Sequence, residues 1–284
     1  MHPSYSSIAG VVVLYNPGGD VWDTIETYRQ QISKLYVIDN SVVYNEELTR
    51  RCALEVAVAY INNKGNKGIA HALNRGCELA RQEGFECILT MDQDTRLVPG
   101  FVSVLAEGFV NKLGKIGIVA PRYPTANSRV TSRYQPMEFT MTSGNLVNLN
   151  AHKEVGGFME ELFIDHVDHE FCLRLQDFGY QVIQDNELNI RHRPGNVVQV
   201  NLWIRRFAFS SHSPIRLYYA FRNGLYVYAK YSRKYLKFRR HFVSFVVNEV
   251  VKILFEDQKM KRVRMIVKAV RDFRSGKLGP FVEV

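Results

Sequence analysis

The sequence lacks the features that mark secreted, membrane-spanning and nucleotide-hydrolysing proteins. It has four cysteines and no C-x-x-C pair, so we expect reduced thiols rather than a disulfide framework or a zinc site. No uncharged apolar run reaches about 18 residues, and no basic segment precedes the first apolar run, which argues against a membrane span and a signal peptide. The G-x-x-x-x-G-K-[ST] motif is missing, as is G-x-G-x-x-G after the first strand, which weakens ATPase and dinucleotide-binding interpretations.

Acidic residues are scarce in the last part of the chain. Residues 201–284 hold 19 Lys and Arg against 5 Asp and Glu, or +14, whereas residues 1–200 hold 18 against 23, or −5. The overall charge of +9 therefore belongs to the C-terminal part. We predict two domains, 1–200 and a helical, aromatic and basic extension at 201–284. The extension is compatible with an anionic membrane surface, with solvated helices, or with a nucleic-acid face.

The first 100 residues alternate apolar runs with segments of helical spacing. The runs read as buried strands, and they are Ile8 to Tyr15, Leu35 to Ile38, Val56 to Ile61, and Ile88 onward. This order predicts an α/β fold with a mostly parallel, doubly wound sheet. Polar residues follow the strand ends, namely Tyr15, Asp39, Asn63, Asp92 and Asp94. Because ligands of such sheets bind at the carboxyl ends of the strands, we expect a nucleotide site at this edge.

Asp92 and Asp94 end the fourth strand with two carboxylates at i and i+2. Like charges this close resist joint ionisation, and a divalent cation such as Mg²⁺ or Mn²⁺ removes that cost. The pattern therefore indicates a metal–diphosphate site, with a solvated turn as the alternative. Upstream, Asn66, Lys67 and Gly68 precede a helix and could offer backbone N–H groups and one positive charge to a diphosphate. A plain helix cap explains that loop equally well.

A second acidic cluster lies in the segment FIDHVDHEFCLRLQDFG, from Phe163 to Gly179. On a continuous helix, Asp165 and His169 would lie one turn apart, as would His166 and Glu170. Three interpretations remain open. The segment is a solvated helix N-terminus, a metal-hydrolase site built on the two histidines, or a helix start whose Asp168 carboxylate acts as a general base in the cleft of Asp94.

The order of these motifs resembles family 2 inverting glycosyltransferases with the nucleotide-sugar-binding GT-A fold, a Rossmann-like sheet flanked by helices. The resemblance is greatest to their bacterial rhamnosyltransferase branch. It rests on the following segments: VVVLYNP, VIDNS, NKGNKGIAHALNRG, LTMDQD, TSGNLV, FIDHVDHEFCLR and YYAFRNGLY. It covers about residues 7–230. The collective order is specific, whereas no single motif is.

The resemblance implies roles for the donor-side residues. Tyr15, Pro17 and Asp39 would hold the nucleobase, with Asp39 accepting a hydrogen bond from the pyrimidine N3–H. Lys67 and Gly68 would lie beside the nucleotide. The implied ligand is a nucleotide-sugar, with dTDP-rhamnose favoured by the branch.

The resemblance also implies a divalent metal, Mg²⁺ or Mn²⁺. Asp94 would ligate it, and Asp92 would lie near the ribose or a metal-bound water. His192 matches a histidine that often supplies a further metal or diphosphate contact, although a lone histidine is also commonly structural.

For the catalytic base, the resemblance implies Asp168. This position matches the Asp of a Glu-Asp pair, but Val167 stands where many relatives have Glu. Asp165 and Glu170 therefore remain alternatives.

Together these features predict a metal-dependent inverting glycosyltransferase. It would move L-rhamnose from dTDP-L-rhamnose onto a glycan or lipid-linked saccharide in bacterial surface polysaccharide synthesis. The alternative donors are UDP-hexoses and UDP-N-acetylhexosamines. A different class, a nucleic-acid-binding protein, would use the basic C-terminus and leave the carboxylates idle. We expect no nucleic-acid partner and a cytoplasmic location, with the basic extension on the inner face of the cell membrane.

Overall fold

The computed structural model describes residues 8–43, 45–110, 114–123, 132–190, 197–202, 205–210 and 212–282. A central sheet contains β1 Ile8–Leu14, β2 Lys34–Asp39, β3 Val58–Asn62, β4 Cys87–Asp92, β5 Ile116–Arg122, β6 Tyr134–Pro136, β7 Asn145–Asn148 and β8 Gln181–Asn189. The helices that accompany it are α1 Val21–Arg29, α2 Glu46–Ala53, α3 Ile69–Gln82, α4 Phe101–Val110, α5 Leu149–Glu154 and α6 Val167–Asp177. This arrangement confirms the predicted α/β class.

The sheet has the strand order β3-β2-β1-β4-β7-β5-β8-β6. Its first four strands are parallel to one another, as the alternation of apolar runs and helices predicts. Strand β7 then runs antiparallel between β4 and β5, and β6 closes the far edge antiparallel to β8. The sheet is therefore mixed, and its change of direction falls beside β4, the strand that ends at Asp92.

Helices cover both faces of this sheet. Ile8, Val12 and Leu14 of β1 pack in one core cluster with buried residues of α1, α2 and α4. Because side chains alternate along a strand, Val11 points to the other face. There α3 comes so close that a Cβ on Gly76 would overlap the Val11 side chain. Both faces of β1 are thus buried, which explains its continuous run of apolar residues.

The chain divides into two compact units, Met1–Glu160 with Asp168–His192, and Glu161–Val167 with Arg193–Val284. The second unit contains β9 Val197–Leu202, β10 Arg205–Ser210, α7 Pro214–Tyr231, α8 Leu236–Ile253 and α9 Lys259–Arg274. The domain boundary predicted at residue 200 stays a prediction. Within the described ranges, no helix is both long and apolar enough to cross a bilayer.

Strands β9 and β10 form an antiparallel hairpin, so the prediction of helix for the start of the basic extension is wrong there. Its sequence RRFAFS carries two phenylalanines, Phe207 and Phe209, two positions apart, and aromatic residues are enriched in strands. The helical prediction is confirmed from Pro214 onward.

Candidate active site

Three parallel strands end side by side at one edge of the sheet. Leu14 is in register with Asp39, and Val13 with Asp92. The residues that follow these strands therefore meet at this edge, as the sequence predicts. The backbone N–H of Tyr15 donates to Gln93 Oε1 at 2.8 Å, which ties the loop after β1 to the loop after β4.

Asp39 is fully buried at the end of β2. Its Oδ1 accepts a hydrogen bond from the Ser41 N–H at 2.8 Å, and its Oδ2 accepts one from the Tyr60 hydroxyl at 2.6 Å. Burial and the hydrogen bond to Asp39 raise the pKa of Tyr60 to about 12, so this phenol stays a donor at neutral pH. The Asp39 carboxylate is held on both sides, and each oxygen retains capacity for a second hydrogen bond. Tyr15 lies half exposed beyond it, and Pro17 is partly buried.

The loop before α3 is built around Gly68. This residue has φ of +89°, a value that suits glycine because it has no Cβ. The Gly68 N–H donates to Asn66 Oδ1 at 2.9 Å, and its carbonyl accepts from Asn40 Nδ2 at 3.1 Å. These bonds fix the start of α3 against the loop that follows Asp39. Lys67 is exposed beside it, where its ammonium group is available to an anion.

The end of β4 is bound to the loop before β7 through Ser143. Ser143 Oγ accepts from the Asp92 N–H at 3.0 Å and donates to Thr95 Oγ1 at 2.9 Å. The Ser143 carbonyl accepts from the Tyr123 hydroxyl. No charge pattern in the sequence indicates these roles of Ser143 and Tyr123, because their partners lie on elements distant in the chain.

Tyr123 is influenced by both acidic clusters. Burial raises the pKa of its hydroxyl, and the negative charges of Asp92 and Asp168 raise it further. Burial and the charge of Asp92 raise the pKa of Tyr28 in the same direction. Asp92 and Asp168, 76 positions apart in sequence, thus both act electrostatically on one phenol. Asp92 is partly buried, and Asp94 is exposed two residues beyond it.

The helix of the second acidic cluster begins later than the sequence pattern predicts. Helix α6 begins at Val167, and Phe163, Asp165 and His166 have φ values of +61° to +65°. Because these residues are not helical, the continuous helix from which the one-turn pairs of Asp165 with His169 and of His166 with Glu170 were predicted is absent at this point. That prediction is wrong.

The three candidate carboxylates have different partners. Glu170 is buried, with its side chain 1% exposed, in an ion pair with Arg174 at 2.7 Å. Asp165 pairs with the half-exposed Arg216 at 3.2 Å. Asp168, 23% exposed in the first turn of α6, accepts a hydrogen bond from the His169 N–H at 2.8 Å. Glu170 therefore serves the packing of Arg174, whereas the charge of Asp168 acts on Tyr123.

The histidines of this segment contact aromatic rings. His166 lies edge-on to Phe238, Phe242 and Phe245 with centroid distances of 5.8 to 6.2 Å. His169 lies edge-on to Phe139 at 4.6 Å. Across the described part of the chain, no group of three or more His, Cys, Asp and Glu could hold a metal ion by itself. A metal-hydrolase site at these histidines has no support, and His192 lies outside the described residues.

A cavity of about 390 Å³ is lined by residues that include Cys87, Ile116 and Asn148. Cys87 and Ile116 are the first residues of β4 and β5. This cavity lies at the amino ends of those strands, so it is distinct from the carboxylate edge.

The known proteins that this chain resembles are consistent with a ligand site at the carboxyl edge of the sheet. Residues 11–163 match the family model of glycosyl transferase family 2, which is more than half of the chain. The protein therefore belongs to glycosyl transferase family 2 and is a glycosyltransferase. It is 29% identical over 290 residues to the dTDP-rhamnosyl transferase RfbF of Shigella flexneri, covering 94% of this chain and 95% of that protein.

Solved structures confirm the GT-A fold. GalNAc-T7, crystallised with UDP, GalNAc and Mn²⁺, matches with a TM-score of 0.57 and 14% identity, covering 66% of this chain and 43% of that one. TarS of S. aureus matches with a TM-score of 0.51 and 13% identity over 78% of this chain and 40% of TarS. A structure of residues 1–349 of TarS also matches with a TM-score of 0.51 and 13% identity, covering 94% of this chain and 72% of that fragment. At these identities the likeness shows the fold alone, and the chain spans less than half of the first two proteins.

Proposed function

We propose that this glycosyltransferase moves L-rhamnose from dTDP-L-rhamnose to a glycan or lipid-linked saccharide, with inversion at the anomeric carbon. The observation that carries the proposal is the sheet edge at which β1, β2 and β4 end in register, with Asp39 and Asp92 at the strand ends. The charges of Asp92 and of the candidate base Asp168 both act on Tyr123, which supports a base close enough to the donor for direct displacement. The similarity to a bacterial dTDP-rhamnosyl transferase over nearly the whole chain favours this donor over UDP-sugars.

The nucleobase is assigned to the loop ends after β1 and β2. Asp39, held by Tyr60 and Ser41, accepts from the pyrimidine N3–H through its remaining acceptor capacity. Tyr15 offers an exposed ring and Pro17 an apolar edge to the base. Lys67 and the Gly68 loop at the start of α3 lie beside the diphosphate, where an ammonium group and a helix N-terminus favour negative charge.

A divalent metal fits the carboxylates of Asp92 and Asp94. Mg²⁺ and Mn²⁺ prefer hard oxygen ligands, and Mg²⁺ is commonly held by one or two carboxylates together with substrate phosphates. Two aspartates alone do not fill the coordination sphere of the metal. This agrees with a site in which the oxygens of a nucleoside diphosphate supply further ligands. When bound, the metal would offset the charge that builds on the departing diphosphate.

Asp168 is assigned as the general base. It accepts the proton of the acceptor hydroxyl as that oxygen attacks the anomeric carbon. Glu170 is committed to Arg174, and Asp165 to Arg216, so neither competes for this role. The partly buried Tyr123, whose phenol remains protonated because its pKa is raised, responds to the charges of both Asp168 and Asp92.

The test is nucleotide binding by calorimetry with dTDP, UDP and GDP, each with and without Mn²⁺. The wild-type protein should bind dTDP most tightly, and Mn²⁺ should strengthen that binding. Asp94→Asn should remove most of the Mn²⁺ effect, because a neutral amide is a poorer ligand for a hard cation. Asp23→Asn, at another exposed position, is the matched control and should behave like wild type. Tighter UDP binding would replace the rhamnosyl assignment, and Mn²⁺-independent binding would refute the metal site.

We also propose that the enzyme acts in the cytoplasm at the inner face of the cell membrane. The support is the concentration of positive charge in residues 201–284 and the lipid-linked acceptor proposed above.

A further inference from the structure

Helix α8 is apolar on two opposite faces. Its inward face carries Phe238 and Phe242, both buried, which pack around His166. Its outward face carries a row of residues that are 47% to 64% exposed, namely Leu236, Val243, Val247, Val250 and Leu254. Their spacing of seven, four, three and four positions puts them on one side of the helix. A surface helix ordinarily presents polar residues there. The exposure of this apolar row shows that no described residue of the chain covers it.

Helix α9 presents a related row. Met260, Arg264, Val267 and Arg271 follow one another at intervals of four, three and four positions, and all are exposed. Apolar and cationic side chains thus alternate along its outward face. Such a mixture suits the boundary between lipid headgroups and acyl chains, where long basic side chains reach the headgroups.

The acidic residues of these helices are withdrawn from solvent. Glu249 pairs with Lys252 at 2.6 Å, Glu256 with Arg262 at 2.9 Å, and Asp272 with Lys268 at 3.3 Å. All three carboxylates are buried. Between residues 236 and 274, all of which the structure describes, Asp257 is the remaining acid and is exposed. The exposed bases over the same span are Lys237, Arg239, Arg240, Lys259, Lys261, Arg264, Arg271 and Arg274.

We propose that α8 and α9 form a docking surface for an anionic lipid bilayer. The outward valine and leucine row of α8 enters the acyl boundary, while the exposed bases contact lipid phosphates. The positive charge and the apolar row of this surface favour a lipid bilayer over the other possible partners. A second copy of the chain would bring the same cationic residues face to face, and a nucleic acid would leave the apolar row uncovered. The inference deepens the membrane location proposed above and rests on it.

The position of α8 at the bilayer is measured with a fluorophore at residue 247. All four native cysteines are buried, so a Val247→Cys variant of the full chain can be labelled selectively with an environment-sensitive dye. The control is Val56→Cys, at a fully exposed valine of the other unit. Mixed phosphatidylglycerol and phosphatidylcholine vesicles should shift the emission of the dye at 247 to shorter wavelength and protect it from an aqueous quencher. Unchanged emission at 247, or an equal change at 56, would overturn the proposal.

The contribution of the apolar row is measured by vesicle co-sedimentation of the unlabelled protein. Val247→Gln with Val250→Gln should lower partitioning by about tenfold or more, since two valines no longer leave water. The matched control is Leu54→Gln with Val56→Gln, two exposed apolar residues of the other unit, which should partition like wild type. Raising the salt concentration should weaken wild-type binding, because the headgroup attraction is screened.

Two further outcomes are decisive. Calorimetric dTDP binding should be the same in every variant, so loss of vesicle binding with intact dTDP binding separates this surface from the donor site. If wild type instead forms a dimer that the Val247/Val250 double variant dissociates, without any response to vesicles, the row is a protein interface and the proposal fails.

Discussion

Replacing the two acids of α6 one at a time should damage the protein in different ways. Glu170 is buried, and it contacts Arg174 through hydrogen bonds of 2.7 to 3.1 Å. Arg174 also donates to the carbonyls of Val155 and Gly157. Glu170→Gln leaves the guanidinium without its counter-charge in a setting where Arg174 is 15% exposed.

The magnitude follows from that setting. Removing one partner of a buried ion pair costs about 3–5 kcal/mol, and we expect about 3 kcal/mol here because Arg174 keeps two backbone acceptors. For a domain of this size that corresponds to a fall in Tm of roughly 6–12 °C. Below its Tm, the folded Glu170→Gln variant should turn over at nearly the wild-type rate. Asp168→Asn should do the reverse, with an unchanged Tm and turnover lower by ~10²–10⁴.

The assay is differential scanning calorimetry beside initial rates of sugar transfer, with each rate measured well below the variant's own Tm. Asp165→Asn is the control, because its pair with the half-exposed Arg216 should be worth about 0–1 kcal/mol. Asp165→Asn should change neither the Tm nor the rate of sugar transfer by much. If Glu170→Gln keeps its Tm and loses turnover, or Asp168→Asn keeps turnover, the base has been misassigned. If all three transfer sugar normally, the cluster is structural.

Two further predictions concern the donor site and the core. Tyr60→Phe removes the hydroxyl that donates to Asp39, so calorimetric dTDP binding should weaken by about tenfold, the effect of one hydrogen bond to a charged group; unchanged affinity would show that Asp39 needs no such positioning. Burial, with the charges of Arg174 and Arg81, lowers the pKa of His152 from 6.5 to about 4. Because the unfolded state takes up this proton first, the free energy of unfolding should fall by up to ~3 kcal/mol as pH drops from 6.5 to 4. Urea denaturation should show a smaller fall in His152→Gln, and parallel curves would refute the assignment.

The parallel half of the sheet was predictable because its pattern is local. Strands β1, β2 and β4 are short apolar runs, and each is separated from the next by a helical segment, which is the signature of parallel strands covered on both faces. The carboxylate edge follows from the same pattern. Strand β7 shows the limit, since the short segment Asn145–Asn148 carries no sequence signal for a parallel or an antiparallel direction. Only pairing with β4 and β5 decides its direction.

The late start of α6 could not be read from its own sequence. Left-handed backbone is uncommon for residues other than glycine, yet Phe163, Asp165 and His166 adopt it. The cause lies some 60 positions downstream, on α7. There Asn223 Nδ2 donates to the carbonyls of Leu162, Ile164 and Asp165 at 2.7, 2.7 and 3.1 Å. One buried amide thus satisfies three backbone acceptors that a helix would otherwise have used, and helical periodicity carries no sign of it.

The candidate site also depends on a backbone conformation, that of Gly144. Its φ is +75°, and a Cβ there would overlap the Ile190 side chain. A glycine at 144 therefore lets the preceding Ser143 lie against the end of β4, where its hydroxyl and carbonyl bind Asp92 and Tyr123. Both groups belong to one residue, so the positions of Asp92 and of the Tyr123 phenol, on which the charge of Asp168 acts, depend on each other. The physical link between the two acidic clusters is thus a backbone conformation, one that a search for charged residues in the sequence does not reveal.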